Sequence, residues 1–399
     1  MHIAIITPYT PYDGVPHAGG AFLYAYVSHL SNAHTVELIC VRPPDERAQA
    51  AFPSSVAVHF CPPKPGGIRS RLRQQSRTLT GFNIGGPEVD ALTGDGRARQ
   101  LLAGADIVNV QWAELLRVVP HLRRERPRRP IVATEHDIYS QAMMRLVRAQ
   151  HNGQADTERI PLRRRLFAPL GIYAEVHFLN KCDLVQVFKV DDVKFLRRSG
   201  LRRPAMVMDP LIDHSPRALG SPDGKRVIFV GAFDRGPNVE GARWFIRNVW
   251  PAVRNSVAGA SLLLAGEQSD QVLADWPAEG AKATGYVADL KPYYDTCTIA
   301  VAPLLRGGGL KFKVPQALAY GLPVVTTTVG GEGMPPGCPA VITDDPGEMS
   351  RSIIGLLKTP DRTRKLGEEG RVWAASVFDF SRSMNEVERR FEELARVTP

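Results

Sequence analysis

The sequence predicts an α/β protein of two doubly wound domains in tandem, each a parallel sheet with helices on both faces. At 399 residues the chain exceeds what a single hydrophobic core usually supports. Short β-type runs alternate with amphipathic helical stretches from the first residue onward, the pattern of βαβ units. Between Leu211 and Lys225 the segment "LIDHSPRALGSPDGK" interrupts that rhythm with turn formers and no periodicity, as an interdomain linker does.

In order, "HIAIITPY" reads as the first strand, "AFLYAYVSHLSN" as the helix after it, and "TVELICV" (Thr35 to Val41) as the next strand. Further strands are expected at Val56 to Cys61, Asp106 to Gln111, Pro130 to His136, Asp183 to Phe188 and Ala205 to Leu211. Helical spacing falls between them at Arg97 to Ala103, Ala113 to Glu125, Leu162 to Asn180 and Asp191 to Ser199. Beyond the linker the alternation restarts. "RVIFVGAF" is a strand, "NVEGARWFIRNVWPAVRN" a helix, "ASLLLAG" and "TIAVAPLL" strands, and "GLPVVTT" and "AVIT" two more. Helices close the chain at Pro346 to Leu357, Asp361 to Phe378 and Ser381 to Arg396.

The composition, 44% hydrophobic and 23% charged, is that of a globular protein, and no apolar run approaches the roughly 18 residues of a membrane span. "MHIAIITPYT" turns polar too early for a secretory core, so a cytoplasmic protein is expected. Five cysteines, Cys40, Cys61, Cys182, Cys297 and Cys338, lack CxxC or metal-type spacing and read as reduced, mostly buried thiols. A net charge of +9 favours anionic partners, among them nucleotide phosphates, an acidic membrane surface and nucleic acid. Two basic regions stand out, Gly66 to Arg77 and the pair Arg123 to Arg129 with Arg159 to Phe167. In the last, Leu162, Leu166, Phe167 and Leu170 lie near helical spacing beside three arginines, the composition of an interfacial helix or of an ordinary helix packed on a sheet.

The stretch richest in chemistry is "LLRGGGLKFKVPQALAYGLPVV", Leu304 to Val325, which reads as strand end, glycine loop, helix start. In open α/β sheets ligands bind beyond the carboxyl ends of the strands, where helix N-termini expose unpaired N–H groups. Gly307, Gly308 and Gly309 let backbone amides approach an anion, and Lys311 and Lys313 supply point charges that reach two phosphates. Neither GxxxxGK[ST] nor GxGxxG is present there, and "HAGGAF" near the N-terminus lacks dinucleotide-fold spacing. A flexible loop with lysines in solvent is the plainer alternative.

From Val227 to Met334 the segments "VGAFDRGPNVEGARWFIRNVWPAV", "LLLAGE" and "GYVADLKPYYDTCTIAVAPLLRGGGLKFKVPQALAYGLPVVTTTVGGEGM" resemble, in order, the C-terminal domain of family 4 retaining glycosyltransferases. The N-terminal half resembles them more loosely, through Gly19 and Gly20 after the first strand and "TEHD" at Thr134 to Asp137. The resemblance implies the GT-B fold, two Rossmann-like domains facing a cleft: residues 1–212 for the acceptor, completed by a returning helix in 380–399, and 213–379 for the sugar nucleotide. It implies transfer of a sugar from a nucleotide-diphosphate donor (UDP, GDP or dTDP) to an acceptor hydroxyl, with retention and without metal or other cofactor. The acceptor would be a carbohydrate, a lipid-linked sugar or a small molecule, with peripheral membrane contact and no nucleic acid.

By position, the resemblance implies that Gly231 lies near the nucleotide. Arg235, Lys313 and the backbone of Gly307, Gly308, Gly309 and Leu310 would hold the diphosphate, and His136 would contact the transferred sugar. Glu332 would touch the donor sugar or cap a loop, and Gly19 and Gly20 would line the acceptor side. Such relatives frequently carry two glutamates around the glycine loop, the second holding the ribose hydroxyls; Gly308 and Gln316 stand at those positions here, so the ribose clamp is an amide. Three readings compete with transfer. An epimerase or hydrolase on the same fold would turn donor over without acceptor. A noncatalytic sugar-nucleotide binder would bind donor without product, and a nucleic-acid binder would show steep salt dependence.

Overall fold

The computed structural model of the chain describes residues 1–15, 18–43, 55–63, 86–151, 162–215 and 224–396, with the side chains of 86, 148–151 and 162–169 excepted. Among the described residues the strands form two all-parallel sheets. The first contains β1 (His2–Thr7), β2 (Thr35–Cys40), β3 (Val56–Phe60), β4 (Ile107–Gln111), β5 (Ile131–Thr134), β6 (Leu184–Val187) and β7 (Ala205–Val207), in the order β3-β2-β1-β4-β5-β6-β7. The second contains β8 (Arg226–Val230), β9 (Ser261–Ala265), β10 (Ala281–Ala283), β11 (Ile299–Ala302), β12 (Val324–Thr326) and β13 (Val341–Ile342), in the order β10-β9-β8-β11-β12-β13. Both follow the doubly wound order in which the first strand pairs with the second on one side and the fourth on the other. This is the GT-B arrangement.

The central strands read as continuous apolar runs because helices cover both faces. Ile3, Ala4, Ile5 and Ile6 are fully buried on alternate sides of the first sheet, and Val227, Ile228 and Phe229 of the second. The last helix, Phe380–Arg396, crosses back to the first lobe. Met384, Val387 and Phe391 are buried there with Phe22, Leu23 and Tyr26.

Several elements depart from the sequence expectation. The stretch Ala113 to Glu125 forms not one helix but a 3₁₀ segment, Ala113–Val118, followed by an α-helix, Val119–Glu125. Pro120 explains the break: in the first turn of the second helix its missing N–H costs nothing, whereas a continuous helix would place it in the interior. The fifth strand ends at Thr134, so His136 stands two residues beyond it. The helix Tyr139–His151 was not anticipated, although Tyr139, Met143, Leu146 and Val147 follow helical spacing.

Of the basic regions, Gly66 to Arg77 lies outside the described residues. The side chains of Arg163 to Phe167 are likewise outside them. In the remaining one, Arg123 is committed internally: it donates to the carbonyls of Lys181 at 2.6 Å and Arg129 at 2.7 Å and pairs with Asp183. Four of the five cysteines are buried, and all five are free thiols. Among the described residues no helix is long and apolar enough to cross a membrane, and no group of three His, Cys, Asp or Glu is placed to hold a metal ion.

Candidate active site

Strand order reverses between β1 and β4 and again between β8 and β11, and the crevice beyond those carboxyl ends is where such sheets bind ligands. From the second sheet it receives Gly231 after β8 and the Gly307–Lys311 loop after β11. From the first sheet it receives the helix bearing Gly19 after β1, Trp112 after β4 and His136 after β5. These segments, hundreds of residues apart in places, meet at one cleft.

The glycine loop is anchored from below. Arg306 Nε and Nη2 donate to the two carboxylate oxygens of Glu240 at 2.6 and 2.8 Å, with both side chains nearly buried. That pair consumes the Arg306 charge and fixes the loop's first residue. Lys311 curls back, its Nζ donating to the carbonyls of Gly308 and, at 2.8 Å, Gly309. Burial lowers its pKa to about 8 against the opposing pull of Asp137. Among the described residues, none of the amides of Gly307, Gly308, Gly309, Leu310 and Lys311 donates to a protein acceptor. Gly309 and Leu310 are buried, and a buried amide left unpaired is the place for a ligand or water oxygen.

Lys313 starts the helix Lys313–Ala319. Its Nζ donates to Asn238 Oδ1 at 2.7 Å, sits 4.8 Å from the centroid of the Phe229 ring, and lies 3.1 Å from where a Cβ on Gly231 would be. No carboxylate neutralises it among the described residues. Burial lowers its pKa to about 7, with Lys311 and Arg235 adding repulsion. A partly neutralised lysine at the helix start that follows this loop, with Arg235 exposed at the start of the helix Gly236–Asn248, has the charge and the donors to attract an anion with more than one charge.

Two more of the glycines serve the opposite lobe. A Cβ on Gly309, whose φ is +69°, would fall 1.7 Å from Asp137 Oδ1 and 3.0 Å from the His136 carbonyl. One on Gly308 would fall 3.2 Å from Ala142 Cβ. The loop is thus glycine partly because the first lobe packs on it. Leu310 joins the buried cluster of the first lobe, and Phe312 meets Phe188 edge-on with centroids 5.6 Å apart.

Glu332 completes the contact between lobes. Both its carboxylate oxygens pair with the Arg145 guanidinium, one at 2.6 Å, and Lys189 Nζ lies at 3.2 Å. Lys189 is itself fully buried and pairs with Asp192 at 3.1 Å. Arg145 also donates to the Gly307 carbonyl at 3.0 Å, so one guanidinium ties the first lobe to both loops of the second. The arginine is held in place from behind: the buried carboxylate of Glu175 accepts from the amides of Tyr139 at 3.0 Å and Ser140 at 3.1 Å, capping the helix that carries Arg145. Burial acts to raise the Glu332 carboxyl, and its pairing with Arg145 and Lys189 outweighs that and holds it below the usual range.

That lowered value sets a pH window. The contribution of Glu332 is full above its unfolded value of 4.5 and is lost as pH falls through the lower folded value. Replacing Glu332 with Gln is expected to cost about 1–3 kcal/mol of stability near neutral pH, because buried Lys189 loses a charged partner. Urea denaturation checks this, and the acid side of the stability profile should flatten in the variant.

The remaining sequence-predicted residues take these places. Gln316 spends both amide atoms on the linker: its Oε1 accepts from Asp213 N at 3.0 Å and its Nε2 donates to the Asp213 carbonyl at 2.9 Å. Gly20 is buried in the helix Ala18–Leu30, and Gly19 lies against Trp112 and His136, where a Cβ would be 3.1 and 3.3 Å from them. Sequence reasoning missed Arg145, Lys189, Asn238, Glu240 and Trp112. Trp112 carried one readable signal, its position at the carboxyl end of a predicted strand. Lys189 carried the same signal, directly after the predicted strand Asp183 to Phe188, and Arg145, Asn238 and Glu240 are fixed by long-range contacts.

Residues 224–359, in the second lobe, match the family model described as Glycosyl transferases group 1. A curated relative, an uncharacterized 44.6 kDa protein in the cps region of Klebsiella pneumoniae, is 27% identical over 143 residues; the match spans 33% of this chain and 37% of that protein. Among solved structures, sucrose-phosphate synthase from Thermosynechococcus elongatus superposes with a TM-score of 0.72 at 16% identity, covering 99% of each chain. Anabaena HepE in complex with UDP and glucose gives 0.66 at 15% identity over 98% of this chain and 99% of that one. WaaG, a glycosyltransferase involved in lipopolysaccharide biosynthesis, gives 0.63 at 12% identity over 99% of both.

Proposed function

We propose that the chain is a glycosyltransferase that moves a sugar from a nucleotide-diphosphate donor to an acceptor hydroxyl. One observation carries this reading: among the described residues the amides of Gly307 to Lys311 have no protein acceptor and the neighbouring Lys313 has no carboxylate partner. The Glycosyl transferases group 1 match over the same residues supports it, and a structural neighbour solved with UDP and glucose makes UDP-sugars the first donors to test.

Transfer breaks the bond between the anomeric carbon and the diphosphate, and the same carbon bonds to the acceptor oxygen. Negative charge grows on the leaving phosphate as positive charge spreads over the sugar ring. Lys313, Arg235 and the loop amides are the fixed groups that stabilise that leaving charge. The acceptor proton passes to the departing phosphate, which places the incoming oxygen on the face the phosphate leaves and retains the anomeric configuration. The positive charge supplied by Lys313 and Arg235 is the ground for proposing that no metal is required. His136 and Gly19 then line the sugar and acceptor side, and the closed lobes limit donor hydrolysis by water.

Two measurements test this. Thermal stabilisation across a panel of UDP-, GDP- and dTDP-sugars should single out one nucleotide, since a ligand that binds only the native state raises stability with its affinity. Product formed from that donor in the presence of EDTA should carry the donor's anomeric configuration by NMR. No stabilisation by any sugar nucleotide would overturn the reading. Stabilisation without product under a broad acceptor panel would favour a noncatalytic binder, a role consistent with Gln316 being engaged by Asp213.

A further inference from the structure

We infer that Gln111 is a positioning residue that holds His136 in a single tautomer, with the proton on Nε2 and the lone pair on Nδ1. The inference takes its catalytic meaning from the proposed sugar transfer, but the tautomer itself follows from the hydrogen-bond network alone.

The network begins at a group whose role has no alternative. The backbone carbonyl of Val132 only accepts, and Asn109 Nδ2 lies 3.2 Å from it and 3.0 Å from Thr134 Oγ1. The Asn109 amide nitrogen must therefore face that way, and its Oδ1 must face Gln111. Gln111 answers with its own amide nitrogen, which donates to Asn109 Oδ1 at 2.5 Å and reaches Thr134 Oγ1 at 3.3 Å. Thr134 passes its hydroxyl proton to Gln186 Oε1 at 2.7 Å, so its oxygen is available to accept from both amides. With the nitrogen committed, Gln111 presents Oε1 to His136 Nε2 at 2.9 Å. An oxygen that only accepts requires an N–H opposite it. Hence Nε2 carries the proton of the neutral ring.

Burial makes the assignment rigid. Asn109, Gln111, Thr134 and Gln186 are all fully buried on β4, β5 and β6; turning the Asn109 amide would set its oxygen against the Val132 carbonyl, and turning the Gln111 amide would set its oxygen against Asn109 Oδ1. The ring plane is fixed separately. Trp112 stacks on the imidazole with centroids 3.8 Å apart and planes 12° apart, and it holds a φ of +66°, a left-handed conformation that costs a tryptophan strain. Gly19 lies beside Nδ1, a Cβ there falling 3.3 Å away. Tautomer and plane are thus set by different elements, and the neutral ring carries its acceptor nitrogen on the Gly19 side.

The test is NMR of protein labelled at histidine with ¹³C and ¹⁵N, at about pH 8, where an ordinary imidazole is neutral. A His136→Asn variant identifies the His136 signals among the ten histidines. The parent should show the nitrogen and Cδ2 shifts of the Nε2–H form alone. An Nδ1–H ring, or a mixture of tautomers, overturns the inference. His136→Gln repeats the assignment, so one variant that fails to fold does not blunt the test.

Gln111→Met should release the ring into a mixture. Asn109→Val, a change at a residue that does not contact the ring, should do the same by freeing the Gln111 amide to turn over. A pure Nε2–H ring in both variants would show that Gln111 does not hold the tautomer and would overturn the inference. In the transfer assay, Gln111→Met should lower kcat by about tenfold with donor KM little changed, the size of one misdirected hydrogen bond in the reacting state. An unchanged kcat would remove the positioning role. If the parent turns over no sugar nucleotide at all, it is the transfer reading that fails, and the spectrum still decides the tautomer.

Discussion

Lys313→Met is expected to lower kcat/KM for the nucleotide-sugar donor by roughly 100-fold, the scale of removing one preorganised donor from a developing anion, while leaving the ligand-free protein at least as stable as the parent. The two effects have one cause. The Lys313 ammonium lies in a site that burial makes hostile to charge, beside Lys311 and Arg235, and its only hydrogen-bond partner among the described residues is the neutral Asn238. Its pKa of about 7 is far below the ordinary lysine value of 10.5. Between those values the unfolded chain binds the proton and the folded chain does not, so this group makes stability rise with pH across that window. Methionine removes the penalty and fills similar space. Differential scanning calorimetry from about pH 7 to 10 should show a flatter pH dependence in the variant.

Donor binding reverses the sign. A diphosphate beside Lys313 favours the ammonium, so the complex takes up a proton when it forms above pH 7, and donor affinity falls as pH rises through that range. Calorimetric titration in buffers of different ionisation enthalpy measures the uptake directly. Lys313→Met should abolish most of it. Equal uptake in parent and variant would place the titrating group elsewhere and sever Lys313 from the diphosphate.

The second large effect is expected at Gly309. Gly309→Ala builds a Cβ at 1.7 Å from Asp137 Oδ1 and 3.0 Å from the His136 carbonyl, at a backbone φ of +69°. The carboxylate can swing aside, but the carbonyl belongs to the segment that positions His136, and the left-handed backbone adds about 1–2 kcal/mol of strain. The least costly response is for the lobes to part. Small-angle scattering should report a larger radius of gyration, and transfer should fall roughly 100-fold because the closed geometry aligns the reacting groups. Each sheet keeps its own core, so far-ultraviolet circular dichroism should be unchanged. A variant as compact and as active as the parent would show that the contact between Gly309 and the first lobe is dispensable.

The fold was legible in the chain because it rests on local rules. Buried parallel strands are apolar runs separated by amphipathic helices, and the linker from Leu211 is a shift in composition. The Gly307–Gly309 loop with Lys313 announced itself because a strand, a flexible turn and a helix start are contiguous in sequence. Short elements were less legible. The helix Ser269–Asp275 and the strand Ala281–Ala283 have too few residues to establish a period.

What the sequence alone determined, then, was two doubly wound sheets and a glycine and lysine loop at the end of a strand in the second. Only the tertiary structure decided what each charge does. Arg306 looks as available as Lys313 in the sequence, yet Glu240 neutralises it, while Lys313 finds no acid among the described residues. Gln316, placed by resemblance on a ribose, is bonded to the linker at Asp213, and Glu332 joins the lobes through Arg145 and Lys189. The reason is physical: the state and use of a charged group depend on what burial and neighbours do to it, and those neighbours arrive from positions up to 187 residues away along the chain.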